Sequence, residues 1–154
     1  MAAQSLGGPR FISESLMRRS LLMSLCSLVS VGWISTEAEA QKVHEIRLDA
    51  NPAKEIFRFS PGQVNARPGD ILLFTAVSGT PHSVVFESKG LSAPAHEALN
   101  GALSRRSGDL SSPLLTPNGA EYRMVVPALP PGSYAFFCLP HRAYDMRGVL
   151  EITK

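Results

Sequence analysis

The sequence predicts an all-β sandwich that carries one short helical insert. Short apolar segments recur between residues 43 and 153, and turns rich in proline, glycine and aspartate separate them. In several segments the apolar side chains occupy every second position, which is the period of a half-buried strand. About seven short strands within roughly a hundred residues are typical of a β-sandwich that forms a single domain.

Each strand candidate is bounded by a turn signal. His44, Ile46 and Leu48 alternate with largely polar neighbours, whereas residues 71–77 form a continuous apolar run that is typical of a buried strand. In chain order the candidates are residues 43–48, 56–59, 71–77, 82–87, 122–126, 133–138 and 148–153.

The stretch from residue 88 to residue 118 does not have a strand pattern. Residues 94–103 place Leu99 and Leu103 four positions apart, on one face of a predicted short helix. Gly101 lowers the helix propensity of this segment. Residues 105–109 are polar and charged, so we expect them to form a solvated loop rather than a functional site.

The first 40 residues have the features of an export signal. Arg18 and Arg19 precede an apolar run over residues 21–34, and residues 38–40 read Ala-Glu-Ala, an A-x-A cleavage site. The run is too short for a membrane span. Met17 is the better start of such a signal, and the arginine pair partly resembles a twin-arginine signal, so both general and twin-arginine export stay open. We expect a mature protein of residues 41–154 in the periplasm or another exported location.

The charges of the chain do not indicate a nucleic-acid partner. Residues 41–154 contain 12 Lys and Arg and 10 Asp and Glu, and the basic residues are scattered along the sequence. No segment after residue 40 is apolar enough to span a membrane, so no stable membrane insertion is expected after signal removal. We expect the mature protein to be a monomer.

Cys138 is the one cysteine outside the predicted signal, because Cys26 lies in its apolar run, and a single cysteine cannot form an internal disulfide. His141 follows Cys138 after two intervening residues, and Met146 follows His141 after four. His82 offers a second imidazole. Two histidines, one cysteine and a weak methionine form the ligand set of a blue-copper electron-transfer site. We therefore predict one copper ion held by His82, Cys138, His141 and Met146.

Taken singly, each of these residues has a simpler interpretation as a core or surface residue. Other functions of a cysteine fit the sequence less well. The C-x-x-C motif of disulfide exchange is missing, and zinc does not favour a thioether ligand. A Cys–His nucleophile pair would need an acidic orienting group, and none is evident. We expect His44 and His96 to be structural or solvent-facing.

Two segments of the chain resemble the copper-ligand segments of plastocyanin and pseudoazurin. The first comprises Gly69-Asp70, Phe74 and residues 81–86 (PHSVVF), and the second comprises residues 131–141 (PGSYAFFCLPH) with Met146 and Gly148. The similarity runs from about residue 64 to residue 152, with both segments in the family's order. The resemblance implies a cupredoxin domain over residues 41–154, an eight-stranded Greek-key β-sandwich with one type 1 copper ion at one end.

The same resemblance assigns a role to each residue of the site. It implies that His82, Cys138 and His141 are the strong ligands and that Met146 is the long axial one. It also implies that the backbone N–H of Ser83 donates a hydrogen bond to the Cys138 sulfur, and that electrons leave through His141 within an apolar surface patch.

The function implied is that of an exported carrier of single electrons rather than an enzyme. Its partners would be redox proteins such as a c-type cytochrome, an oxidase or a reductase. A periplasmic copper storage or delivery protein is the alternative, because the same ligands fit it. Arg142 and Arg147 flank the ligand loop, which predicts a basic docking face suited to a partly acidic partner.

Overall fold

A computed structural model describes residues 40–153 as two four-stranded sheets packed with one short helix. The elements are β1 (Val43–Asn51), β2 (Ile56–Ser60), β3 (Gln63–Ala66), β4 (Ile71–Ala76), β5 (Val85–Phe86), α1 (Ala93–Ala102), β6 (Glu121–Val125), β7 (Gly132–Phe137) and β8 (Arg147–Ile152). The predicted all-β sandwich with a helical insert is confirmed. The predicted signal lies outside the described residues except for Ala40, and no helix within residues 40–153 is long and apolar enough to cross a membrane.

Each sheet combines antiparallel pairs with one parallel pair. Sheet A has the order β2-β1-β4-β6, and β1 and β4 run parallel in it. Sheet B has the order β3-β8-β7-β5, with β3 parallel to β8. Strands that are adjacent in a sheet are therefore often distant in sequence, so the sandwich depends on long-range pairing.

Two strands differ from the sequence prediction. The strand expected over residues 82–87 is regular only at Val85 and Phe86, and His82 instead makes an isolated bridge to Leu115 in the segment after the helix. Strand β3 was not predicted. Val64 and Ala66 are its buried residues, and so short an alternation gives a weak strand signal.

The helical insert agrees with its prediction to within one residue at each end. The Ser92 hydroxyl caps α1 by accepting a hydrogen bond from the Ala95 N–H at 3.4 Å. Leu99 and Leu103 are both buried, as their spacing predicts. Residues 105–109 are exposed, as expected of a solvated loop.

A cluster of aromatic rings fills the centre of the sandwich. Phe136 of β7 contacts Phe59, Phe74 and Phe86 edge-on, with ring centroids 4.9, 5.8 and 5.8 Å away. Edge-to-face packing is the favoured arrangement for such rings. Gly148 of β8 lies against the Phe136 ring, where a side chain of any size would collide with it.

His44 and Asp70 tie β1 to the turn before β4. The His44 imidazole lies 3.0 Å from the Asp70 carboxylate, which also accepts hydrogen bonds from the N–H groups of Lys42 and Arg67. Desolvation acts to raise the pKa of Asp70, but the hydrogen bonds from Arg67, His44 and Lys42 outweigh it and lower that pKa below its usual value. His44 is thus structural, as predicted.

Because the pKa of Asp70 is lower in the folded than in the unfolded chain, its ionised form stabilises the fold. That stability is present above the usual carboxyl pKa and is lost as pH falls through the lowered folded value. We expect Asp70→Asn to reduce stability at pH 7 by about 1–2 kcal/mol, toward the low end of the 1.5–3 kcal/mol typical of hydrogen bonds to charged groups, because Asp70 is partly exposed. Urea unfolding at pH 7 and at decreasing pH checks this; an equal loss at every pH down to 2 would contradict it.

Candidate metal centre

The predicted ligands come from two loops at one end of the sandwich. His82 lies between β4 and β5, and Cys138 is the first residue after β7. His141 precedes a short 3-10 helix formed by residues 142–144, and Met146 stands directly before β8. His82, Cys138 and Met146 are fully buried, whereas His141 is half-buried. Two loops thus bring together residues that lie up to 64 positions apart in the sequence.

Three of the four side chains form a compact triangle of donor atoms. The Cys138 Sγ lies 3.6 Å from His82 Nδ1 and 3.5 Å from His141 Nδ1, and all three donors lie within 4.8 Å of one another. A metal ion bonded to sulfur at about 2.3 Å and to nitrogen at about 2.0 Å spans such a separation at an angle of roughly 110°. The donor set therefore fits a single soft transition-metal ion.

A hydrogen bond fixes the orientation of the His82 ring. His82 Nε2 lies 2.6 Å from the backbone oxygen of Ser78, an acceptor, so this nitrogen carries the ring proton. Nδ1 then keeps its lone pair and faces Cys138. A carbonyl partner of this kind selects the ligating nitrogen of a histidine.

The Cys138 sulfur is held by the backbone around it. The Ser83 N–H donates to Sγ at 3.4 Å, which confirms the contact implied by the family resemblance. The Cys138 N–H donates to the Met146 carbonyl at 3.0 Å, and this bond closes the ligand loop. Burial raises the pKa of the Cys138 thiol, and the Ser83 N–H only partly offsets the effect. Because a metal would bind the thiolate, Cys138 would release this proton when the site is loaded.

Both histidines are shifted toward the neutral form. Burial lowers the pKa of His82, although its bond to Ser78 opposes the change. Burial and the neighbouring His82 lower the pKa of His141. Near neutral pH both imidazoles therefore offer lone pairs to a cation.

Ser83 has a second contact that sequence reasoning missed. Its buried hydroxyl accepts a hydrogen bond from the Leu139 N–H at 3.1 Å, directly after the cysteine. The same residue thus fastens both the sulfur and the loop that carries His141. Its position directly after the first predicted ligand histidine could have drawn attention to Ser83. The sequence alone, however, does not show which atom its side chain contacts.

We expect Ser83→Ala to destabilise the protein by about 1–3 kcal/mol, because the Leu139 N–H loses its partner. The Cys138 sulfur should keep its backbone hydrogen bond, so the variant should still bind copper and have a visible band close to that of the parent. Urea denaturation together with a visible spectrum tests both expectations. Unchanged stability would show that water replaces the hydroxyl.

An aromatic pair that the sequence did not predict lies against His141. Phe57 of β2 packs its ring 5.4 Å from the His141 ring, and Tyr144 stacks on Phe57 at 3.9 Å with an interplanar angle of 8°. Phe57 and Phe59 share one face of β2, so their alternation was the signal. Only the fold shows that the first of them reaches the metal centre.

The predicted basic docking face is corrected by the structure. Arg147 pairs with Glu87 at 2.7 Å and with Asp145 at 2.6 Å, and Arg142 lies 4.0 Å from the same glutamate. The Arg142 guanidinium also lies 4.4 Å from the centre of the Phe137 ring. Two arginines and two carboxylates balance, so this flank is close to neutral.

Leu139 and Tyr144 give the ligand end of the molecule an apolar surface. Their side chains are 56% and 60% exposed, and Pro140 is exposed between Leu139 and the half-buried His141. The apolar surroundings implied for His141 are present. His96, by contrast, is partly exposed and lies 2.9 Å from the Asp109 carboxylate rather than among the donor atoms.

Comparison with known proteins points to one family. A family model described as copper binding proteins of the plastocyanin/azurin family matches residues 44–153. Plastocyanin from Nostoc punctiforme is 26% identical over 144 residues, covering 93% of this chain and 98% of that protein. Plastocyanin from Dryopteris crassirhizoma is 30% identical over 96 residues, covering 62% of this chain and 88% of that protein. The solved oxidized form of the Dryopteris protein aligns with a TM-score of 0.56 at 24% identity, over 71% of this chain and all of that one.

Proposed function

Because the chain belongs to the plastocyanin/azurin family of copper-binding proteins, we propose that it carries single electrons between redox proteins. We further propose that His82, Cys138, His141 and Met146 hold its one type 1 copper ion. The observation that carries the proposal is the triangle of one buried thiol, one buried imidazole and one half-buried imidazole, whose donor atoms lie within 4.8 Å of one another. When bound, copper supplies the one-electron couple between its +1 and +2 states.

The residues around the triangle favour fast electron transfer because they leave it little freedom to move. Ser78 fixes the His82 ring, Ser83 fixes the sulfur, and the Met146 carbonyl closes the loop. A site held in one geometry needs little rearrangement when its charge changes. The Met146 side chain is buried, and its backbone carbonyl accepts the Cys138 N–H at 3.0 Å, which supports its assignment as the weak fourth ligand.

His141 is the proposed path to the partner. It is the predicted ligand that reaches solvent, and Leu139, Pro140 and Tyr144 provide an apolar surface beside it. Apolar contact desolvates the path between two redox centres without requiring a fixed set of polar bonds. The partners proposed are redox proteins such as a c-type cytochrome, an oxidase or a reductase.

The family relationship excludes an enzyme, because plastocyanin-family proteins are electron carriers without a substrate reaction. Copper storage or delivery stays the alternative function. The buried sulfur and buried His82 favour retention of the ion over its transfer to another protein.

We also propose that the chain is exported after loss of residues 1–40. The arginine pair, the apolar run and the A-x-A site support this proposal. Mass spectrometry of protein recovered from the periplasm of an expressing bacterium should give a chain that begins at Gln41. A chain that retains the first 40 residues there would contradict the proposed cleavage.

The test of function is a visible spectrum of residues 41–154 after addition of Cu(II). We expect an intense blue band that ascorbate bleaches and hexacyanoferrate(III) restores through many cycles, with the copper retained. A colourless protein, or one that loses copper to a chelator at each reduction, would replace the carrier proposal with copper delivery.

A further inference from the structure

A groove beside His141 combines aromatic faces with a carboxylate. It has a volume of about 410 Å³ and is lined by Pro52, Glu55, Phe57 and Tyr144. Phe57 contacts both the His141 ring and the Tyr144 ring, so the groove is continuous with the proposed electron path. We call this groove, with the four residues that line it, the aromatic shelf.

The outer wall of the aromatic shelf is the ring of Tyr144. One face of this ring stacks on Phe57, yet the side chain stays 60% exposed, so its other face lies toward solvent. A stacked and exposed tyrosine is a suitable surface for a flat cationic group.

Glu55 gives the aromatic shelf its charge. Its backbone is left-handed, with φ 52° and ψ 34°, and its N–H donates to the Pro52 carbonyl at 3.2 Å. Glycine or asparagine adopts this conformation at lower cost than glutamate. Within residues 40–153 no hydrogen bond or ion pair engages the Glu55 carboxylate, and Lys54 before it does not line the groove.

The other carboxylates near the ligand loop are already neutralised. Glu87 is paired with Arg142 and Arg147, Asp145 is paired with Arg147, and none of these four residues lines the groove. The unpaired charge that lines a cavity beside His141 is therefore the negative one of Glu55.

We infer that the aromatic shelf receives an arginine side chain of the redox partner, with the guanidinium stacked on Tyr144 and paired with the Glu55 carboxylate. The inference rests on the proposed function, because it places that partner against His141. Arginine suits the shelf better than lysine, since its planar group stacks on a ring and meets a carboxylate through two N–H donors. The occupant is thus basic, opposite to the acidic partner that the sequence suggested.

The test measures electron transfer from the Cu(I) protein to a c-type cytochrome whose haem edge is ringed by arginine and lysine. We compare the parent with Glu55→Gln, Tyr144→Ala and Tyr144→Phe at low and high ionic strength. Glu45→Gln is the matched control, because it removes the same charge from an exposed position near the start of β1, distant from the shelf.

We expect Glu55→Gln and Tyr144→Ala each to lower the second-order rate constant about two- to five-fold at low salt, the range of one exposed ion pair or cation–π contact. Tyr144→Phe should stay near the parent rate, because it keeps the ring. The effect of Glu55→Gln should shrink at high salt, and that of Glu45→Gln should be small throughout.

Two results would overturn the inference. Glu55→Gln could slow the reaction no more than Glu45→Gln does, which would show a general charge effect. Alternatively, Tyr144→Ala alone could slow it, which would show an apolar occupant.

Reduction of hexacyanoferrate(III) by the parent protein is measured first. Failure there would overturn the electron-carrier proposal itself, whereas success followed by either result would overturn only the role of the aromatic shelf.

Discussion

We expect the Cys138→Ser variant to lose the intense blue absorption of the copper-loaded protein altogether. That band arises from charge transfer between the cysteine thiolate and Cu(II), and a serine hydroxyl is neither soft nor ionised at neutral pH. Cys138 is fully buried and its Sγ makes both short contacts to the histidine nitrogens, so no other sulfur can take its place without rearranging the loop. The measurement is a visible and electron paramagnetic resonance spectrum of the Cu(II) form.

Met146→Leu is the matched comparison for this prediction. It removes the second sulfur from the same loop but keeps a buried side chain of similar volume. If Met146 is the weak axial ligand, the variant should stay blue while its reduction potential changes, because the axial ligand tunes the potential. A blue Cys138→Ser variant, or a Met146→Leu variant as colourless as Cys138→Ser, would contradict the assigned roles.

We expect Phe136→Ala to destabilise the protein by about 3–5 kcal/mol, the range for removal of a buried phenylalanine. Its ring is fully buried and contacts three other phenylalanines, which come from both sheets. Removing it leaves a cavity between the sheets two residues before Cys138. Urea denaturation of the metal-free protein measures the loss without a contribution from copper.

Val125→Ala is the control for the core prediction. Val125 lies at the end of β6 with 46% of its side chain exposed, so its truncation should change stability by about 0.5 kcal/mol or less. A loss of under 1 kcal/mol in Phe136→Ala would mean that neighbouring residues close the cavity, and would refute the central role of this ring.

The sequence predicted the elements whose signal is local. Alternation in β1 and β6, the apolar run of β4 and the 94–103 helix all correspond to elements of the structure. Cys138 and His141 are three positions apart, so their side chains cannot lie far from each other. The ligand loop could therefore be predicted from this spacing alone. Strand β3 and the irregular backbone at His82 depend on partners far along the chain, β8 and Leu115, which local patterns do not reveal.

The charge balance around the site likewise could not be predicted from local sequence patterns. Arg142 and Arg147 read as a basic patch in the sequence, but Glu87 reaches both of them from 55 or more positions away. Phe57 likewise meets His141 only because β2 forms the edge of sheet A at the ligand end. Residue type predicted which side chains could bind a metal, whereas charge balance and surface shape required the fold.

The position of β8 determines when the cysteine of the metal centre becomes buried during folding. β8 lies inside sheet B, between β3 and β7, and within the described residues β3 has no other strand neighbour. Sheet B therefore cannot assemble until residues through Ile152 are available to pair, and the sulfur of Cys138 stays exposed until then. Since long-range strand pairing is slow, the reduced thiol faces a period of vulnerability to oxidation. Completion of sheet B ends this period, because Cys138 is fully buried in the folded protein.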